Sequence, residues 1–222
     1  MKEKCAQLAF EMIEDGMLVG LGGGSTVAII IDKLAKSSKN VTVVTASYET
    51  KIKCKENDIP IQELEDTALV SLAFDGCDEV DANLNALKSC GGIHTREKIL
   101  AQMAESYILL ADDSKYHEKL AFDFPICLEV LPSSYSFTKK ILREKAIKLE
   151  SRKGQGKVGL AISDDGNYLL DAYFEQVDDL EDLAKTLDSL PGLVGHSLFY
   201  KVASKVIIAK ENDMMIKERK SK

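Results

Sequence analysis

Apolar residues in this chain recur with two periods, and the switching between them lays out a fold. Between residues 2 and 15, Cys5, Leu8, Ala9 and Met12 fall at the spacing of an amphipathic helix, and Asp15-Gly16 predicts its stop. Met17-Leu18-Val19 reads as a short strand running into Gly20-Leu21-Gly22-Gly23-Gly24-Ser25-Thr26, after which Ile29, Ile30, Leu34 and Ala35 return to helical spacing. The β-branched run 41–45 predicts a second strand and 49–57 a helix, with Lys51, Lys53 and Lys55 on a solvated face. Ile59-Pro60-Ile61 predicts a further short strand. Two apolar runs, 68–74 and 107–111, have the length of buried strands; an acidic loop and a helix starting at Thr95 separate them.

The pattern changes at Pro125. Residues 125–132 form a β run framed by prolines, which marks a domain edge, and 137–149 predicts a helix. Residues 157–162 and 168–173 read as the arms of a hairpin around the turn 163–167. Leu180, Leu183, Ala184 and Leu187 predict a helix over 177–189, ended by Pro191-Gly192. The strong β run 205–209 is expected to return to the main sheet, and the charged tail 210–222 to fray. Strand–loop–helix repetition is the grammar of a parallel sheet with helices on both faces. The expected fold is therefore α/β, a doubly wound, mainly parallel sheet domain (1–125 plus 200–222) with an inserted smaller α+β domain (126–199).

Composition narrows the function. A chain of 222 residues with 45% hydrophobic and 29% charged residues can bury a sizeable core. A net charge of −7 argues against a nucleic-acid binder, which neutralises phosphates with basic patches. No run of 18 apolar residues predicts a spanning helix, and the first residues do not read as a signal peptide. Five scattered cysteines without a C-x-x-C pair predict neither a zinc site nor a disulfide framework, and point to a reduced, cytoplasmic protein. The three histidines are not spaced as metal ligands.

Candidate chemistry concentrates in three places. The glycine-rich turn 20–26 opens a helix whose amides and dipole favour an anion, with Ser25 and Thr26 as hydroxyl donors. It fits neither G-x-G-x-x-G nor a Walker loop, so a plain tight turn is an equal reading. The stretch 74–98 packs Asp75, Asp78, Glu79 and Asp81, Lys88, Gly91-Gly92 and Thr95-Arg96-Glu97-Lys98 into 25 residues at a strand's carboxyl end, where ligands of such sheets sit. Asp112-Asp113-Ser114-Lys115 brings acid, hydroxyl and cation to the same edge, or is simply a polar turn capped by Asp113 or Ser114. Cys77 and Cys90 lie in the central stretch but are poor thiolate candidates.

Several of these segments, in order and with spacing kept, resemble the A-type ribose-5-phosphate isomerases over nearly the whole chain. They are Gly20 to Thr26; Asp75-Gly76-Cys77-Asp78-Glu79-Val80-Asp81; Lys88 with Thr95-Arg96-Glu97-Lys98; and Ala111-Asp112-Asp113-Ser114-Lys115. Asp164-Asp165-Gly166-Asn167, Leu190-Pro191-Gly192-Leu193-Val194 and Leu198-Phe199 add carboxyl-half landmarks. The chain departs from that family's pattern at Gly23, Ser89-Cys90 and Ile93-His94, all on the presumed substrate surface.

The resemblance implies interconversion of ribose 5-phosphate and ribulose 5-phosphate through an enediolate, in the non-oxidative pentose phosphate pathway, without metal or cofactor. It implies Glu97 as the base moving a proton between C1 and C2, Asp75 and Asp78 on the sugar hydroxyls, and Lys88 on the enediolate oxygen. Gly24, Ser25, Thr26, Ser47, Gly91, Gly92 and Lys115 would surround the substrate and its phosphate. The partners implied are a small sugar phosphate and a second copy in a homodimer or higher homo-oligomer, with no nucleic acid and no membrane. The rival readings are a weak or non-catalytic sugar-phosphate sensor, an isomerase of another pentose phosphate, and a nucleotide- or CoA-linked transferase.

Overall fold

The computed structural model describes residues 1–156, 158–211 and 213–219. Its first half alternates helix and strand: α1 (Lys2–Glu11), β1 (Leu18–Leu21), α2 (Ser25–Ala35), β2 (Thr42–Thr45), α3 (Tyr48–Glu56) and β3 (Val70–Gly76). Short strands β4 (Glu79–Asp81) and β5 (Ala86–Leu87) precede α4 (His94–Met103), β6 (Ala104–Asp112) and β7 (Tyr116–His117). The second half holds β8 (Ile126–Val130), α5 (Tyr135–Leu142), β9 (Lys148–Ser151), β10 (Tyr168–Tyr173), α6 (Leu180–Asp188), β11 (Leu193–His196) and β12 (Leu198–Phe199). Strands β13 (Lys205–Ala209) and β14 (Met214–Glu218) close the described chain.

The main sheet has the order β14-β13-β6-β3-β1-β2, parallel except for the antiparallel edge strand β14. The chain runs outward from β1 to β2 on one side and from β3 through β6 to β13 on the other. The carboxyl ends of β1 and β3 therefore flank the point where the order reverses, the usual ligand crevice of such sheets.

Period-2 alternation explains the layering. Val19, Leu21, Val43, Ile108, Leu110, Ile207 and Ala209 point into one core with residues of α1, α2 and α3. Tyr107, Leu109, Ala111, Val206 and Ile208 point into a second core with Leu100 and Ala101 of α4. Both faces are covered, so the sheet is doubly wound.

Two smaller sheets complete the molecule. One, β11-β8-β10-β9, is antiparallel and packs α5 and α6 against Leu128, Val130, Leu170 and Ala172. The other, β12-β5-β4-β7, was not anticipated: the expected acidic loop after β3 is itself β-structured.

Other expectations are corrected by packing. The helix predicted over 137–149 ends at Leu142, because Lys148–Ser151 is drawn into pairing with β10. The first hairpin arm is reduced to bridges at Leu160 and Ile162, Lys157 lying outside the described residues; the main partners of β10 are β8 and β9. Residue Ile61 makes only a bridge to Val43. The tail does not fray where it is described: β14 pairs along β13, and Met214 and Met215 enter the two cores on opposite sides of the sheet. The first helix stops before the expected Asp15-Gly16, at Glu11 with Met12 as its cap; Gly16, at φ 79°, turns the loop toward β1, its N–H donating to the Asn40 carbonyl at 2.7 Å.

Candidate active site

At the switch point, three ionisable side chains from three elements converge below the surface. Lys88 follows β5, Asp75 ends β3 and Glu97 sits in the first turn of α4; they are 7%, 1% and 6% exposed. Lys88 Nζ lies 3.0 Å from Asp75 Oδ1 and 3.2 Å from Glu97 Oε1, and donates to the Gly76 carbonyl at 2.6 Å. Burying a lone ammonium or carboxylate is costly, so the three are stable only as a group.

The charges are shared unequally. Burial opposes the Lys88 ammonium, but Asp75 and then Glu97 outweigh it and hold its pKa above the ordinary lysine value. Burial pushes Glu97 up, Asp75 pushes it further, and the pull of Lys88 only partly offsets both, leaving it at about 8. The dipole of α4 by itself would favour the carboxylate; desolvation wins because the side chain is almost wholly enclosed. Glu97 Oε2 has no hydrogen-bond partner among the described residues, so one oxygen is free to take a proton.

The two aspartates expected on the substrate differ. Asp75 is engaged on both oxygens: Oδ1 accepts from Gly76 N at 2.8 Å and Gly23 N at 3.3 Å, and Oδ2 from Tyr107 Oη at 3.1 Å. A Cβ on Gly22 would lie 2.0 Å from Asp75 Cγ, so the glycine there is what lets the loop close over the carboxylate. Asp78 is half-buried; its Oδ2 accepts from Ser89 N at 2.5 Å and Cys90 N at 3.0 Å, and its Oδ1 is unengaged among the described residues. As arranged, Asp78 keeps one oxygen without a donor, whereas both oxygens of Asp75 are engaged.

The glycine-rich turn forms a separate pocket. Gly23, Gly24, Ser25, Thr26, Gly76 and Lys115 line a cavity of about 160 Å³, with Lys2 and Asp112 also on its wall. Gly24 caps α2 at φ 94°, a conformation side chains resist, which turns the first amides of the helix toward the cavity. Lys2 Nζ donates to Ser25 Oγ at 2.8 Å, and Lys115 Nζ donates to the Cys77 carbonyl at 2.6 Å. Lys115 stands on a short helical turn capped by Asp112 rather than by Asp113 or Ser114.

Ser47, Gly91 and Gly92 do not line that cavity. Ser47 Oγ accepts from Thr50 N as the cap of α3 and lines a different groove, although a Cβ on Gly23 would lie 3.5 Å from it. Gly92, at φ 69°, makes the entry to α4 and leaves room for Leu169, while Gly91 is exposed beside it. Arg152 anchors this loop, donating to the Ser89 carbonyl at 3.0 Å and the Cys90 carbonyl at 3.3 Å while paired with Asp171. Of the departures noted above, Ser89 points inward, bonded to Pro125 O and Ser197 Oγ, and presents no side chain to the pocket. Burial and then Asp78 push the Cys90 thiol up to about 11, and burial pushes Cys77 up to about 12, so neither is a thiolate nucleophile.

Sequence reasoning missed Lys2, Arg152 and Tyr107, each brought in from an element remote in the chain. The only local signal was a lysine at the head of a helix and a tyrosine in an apolar strand. Among the described residues, no group of three or more His, Cys, Asp or Glu could hold a metal ion.

A buried lysine shared by two carboxylates, close to a small pocket lined by glycines, hydroxyls and two lysines at the switch point of a doubly wound sheet, has the chemistry of an enzyme that moves protons on a small anionic substrate. Comparison with known proteins narrows the class. The sequence profile of ribose 5-phosphate isomerase A (phosphoriboisomerase A) matches residues 42–213, and that of the DeoR C terminal sensor domain matches residues 1–63. The chain is 37% identical to ribose-5-phosphate isomerase A of Pyrococcus horikoshii over 99% of its length and 98% of the relative's. With the protein of that name from Thermosynechococcus vestitus it shares 36% identity over 94% and 90%. A D-ribose-5-phosphate isomerase in complex with phospho-erythronic acid superposes with a TM-score of 0.93 at 35% identity, covering 98% of this chain and 97% of that one. Ribose 5-phosphate isomerase A of Methanocaldococcus jannaschii gives 0.91 at 34%, with 98% and 97% covered. The chain belongs to the ribose 5-phosphate isomerase A family.

Proposed function

We propose that this enzyme interconverts ribose 5-phosphate and ribulose 5-phosphate by moving one proton between C2 and C1. The carrying observation is Lys88 bridging Asp75 and Glu97 in a buried site, with one Glu97 oxygen free. In the open-chain aldose, Glu97 takes the proton from C2, and the electron pair moves through the new C1–C2 double bond onto the carbonyl oxygen. Lys88 faces that developing charge in a dry site, where such stabilisation counts most. Glu97 returns the proton to C1, and the O2 proton passes to O1, with Asp78 Oδ1 as the acceptor placed for the hydroxyls. Asp75 holds Lys88. The 160 Å³ cavity would take the phosphate, on the first amides of α2, Ser25, Thr26, Lys2 and Lys115. The relative bound to a phosphorylated sugar acid supports this substrate class.

Residues 1–125 with 200–222 are read as the catalytic α/β domain and 126–199 as the smaller α+β domain. In support, the six-stranded sheet draws only on the first set and β11-β8-β10-β9 only on the second, while β12 joins β5 across the division. We place the enzyme in the cytoplasm as a homodimer or higher homo-oligomer. Its five free cysteines, four of them buried, support a reducing compartment. No helix among the described residues is long and apolar enough to cross a membrane.

Conversion of ribose 5-phosphate should proceed in the presence of chelator and fall by about 10²–10⁴ in Glu97→Gln, the usual cost of a general base. Substrate that binds to the wild type without turning over would indicate a sensor instead.

A further inference from the structure

We infer that Tyr107 is a positioning residue for the reaction, its hydroxyl fixing the Asp75 carboxylate so that Lys88 stays between Asp75 and Glu97. The inference rests on the isomerase reading above but on a contact that reading does not use.

The geometry is asymmetric. Asp75 Oδ1 faces three donors, namely Lys88 Nζ, Gly76 N and Gly23 N. Asp75 Oδ2 has a single donor among the described residues, Tyr107 Oη at 3.1 Å. The last torsion of an aspartate is soft, so a carboxylate anchored on one oxygen swings about that anchor. The tyrosine closes the other side.

Tyr107 is itself held firmly. It is 2% exposed, on the central strand β6 beside β3, with its carbonyl accepting from Ser204 N and Ser204 Oγ, both at 2.9 Å. Its ring centroid lies 6.2 Å from that of Phe199, whose ring is also 5.8 Å from Lys88 Nζ. One rigid aromatic pair thus supports both partners of the buried ion pair. A phenylalanine would fill the same core position; the hydroxyl adds only the contact with Asp75. Buried tyrosine hydroxyls need a partner, and this one has taken a carboxylate of the acid–base group.

Without the hydroxyl, Asp75 Oδ2 lacks its donor and Lys88 can shift to bridge both Asp75 oxygens. Lys88 then withdraws from Glu97 Oε1. Two consequences follow for the reaction: the ammonium moves off the developing oxygen charge, and Glu97 loses the contact that favours its ionised form. Tyr107 does not line the phosphate cavity, so substrate affinity should be little affected.

The test is Tyr107→Phe in the full-length enzyme, with kcat, KM and the pH–rate profile measured on folded protein. A hydrogen bond to a charged group of ordinary strength predicts a kcat lower by about tenfold with KM within about twofold. The ascending limb of the profile should move to higher pH. Independently of activity, ¹³C NMR of labelled glutamate should show the Glu97 titration moving upward. A purely structural tyrosine would lower the melting temperature and leave the profile and the Glu97 titration in place; that result overturns the inference. A wild type that does not isomerise ribose 5-phosphate would overturn the functional reading instead, and the Glu97 titration would still decide the role of Tyr107.

Discussion

Within seven residues, Asp75 to Asp81, the chain carries four acids, of which Asp75 on one side and Glu79 with Asp81 on the other end in two different environments. Glu79 and Asp81, on β4, are satisfied by groups that do not titrate. Glu79 accepts from the backbone N–H of Ala121, Phe122 and Phe124 at 2.9–3.1 Å; Asp81 accepts from Asn83 N, Asn85 N and Asn85 Nδ2 at 2.8–2.9 Å. Asp75, a few residues earlier, is tied to Lys88, which also holds Glu97. The first pair are staples that fix the path of the loop. The second environment lets charge be redistributed, because a lysine shared by two carboxylates can lean toward either. Burial alone therefore does not single out an acid that can exchange a proton; a shared lysine at Asp75 and Glu97, and an oxygen left without a donor at Asp78, set those three apart from Glu79 and Asp81.

The sharpest way to break this contrast is to remove one carboxylate from each environment. Glu97→Gln should remove about 10²–10⁴ in kcat while the fold melts normally. Glu79→Gln should do the reverse. Its amide nitrogen would face a backbone N–H, at about 1–3 kcal/mol for each donor left unmet. Urea unfolding should register that loss, with kcat per folded molecule within about twofold. If Glu79→Gln were instead as inactive as Glu97→Gln with unchanged stability, the division into staples and working acids would be wrong.

Lys88→Met tests whether the ion pair serves both purposes. Two buried carboxylates would lose their cation, and breaking such a pair by removing one partner costs about 3–5 kcal/mol. The charge-stabilising donor would go with it, lowering kcat by about 10²–10³. Stability and rate should fall together, as in neither glutamate variant.

A smaller effect separates the environments by pH. Glu97 has a folded pKa of about 8 against an ordinary 4.5, so between those values the folded protein binds the extra proton. Its contribution to stability is present below the unfolded value and is lost as pH rises through the folded one. Activity runs the other way, since the base must be deprotonated, so kcat/KM should rise through the same window. Opposite slopes of unfolding free energy and kcat/KM between pH 5 and 8, both flattened in their Glu97 component by Glu97→Gln, would establish the coupling. The smallest effect is expected at the loop between the environments: with the Cys90 thiol held near 11, Cys90→Ser should change kcat by less than about twofold.

The legibility of the sequence follows the range of the forces involved. Continuous apolar runs at β3, β6 and β13 and helical spacing in α1, α2 and α6 are local signals, and they pointed to a doubly wound sheet and its order of elements. Glycines at 22–24 and the Asp75–Asp78 pair could be placed at strand carboxyl ends, where such sheets bind ligands, but the glycines alone fitted a tight turn equally well. The boundary of α5 could not be read, because Lys148–Ser151 has its β partner in β10, about 20 residues further on. Nor could β14 be read as ordered: two methionines in a charged tail signal nothing until a core stands on each side of them.

By itself, then, the sequence determined which residue types were available and where along each strand and helix they stand, since backbone preference and hydrophobic period act over a few residues. Only the tertiary structure decided which acids work and which merely cap. That choice depends on what lies across a gap of about 3 Å: Lys88 against Asp75 and Glu97, the backbone amides of Ala121, Phe122 and Phe124 against Glu79, and the Tyr107 hydroxyl against Asp75 Oδ2. Each of those partners comes from chain 9 to 45 residues away, so no local pattern encodes the pairing, and the desolvation that raises Glu97 exists only once the core has closed.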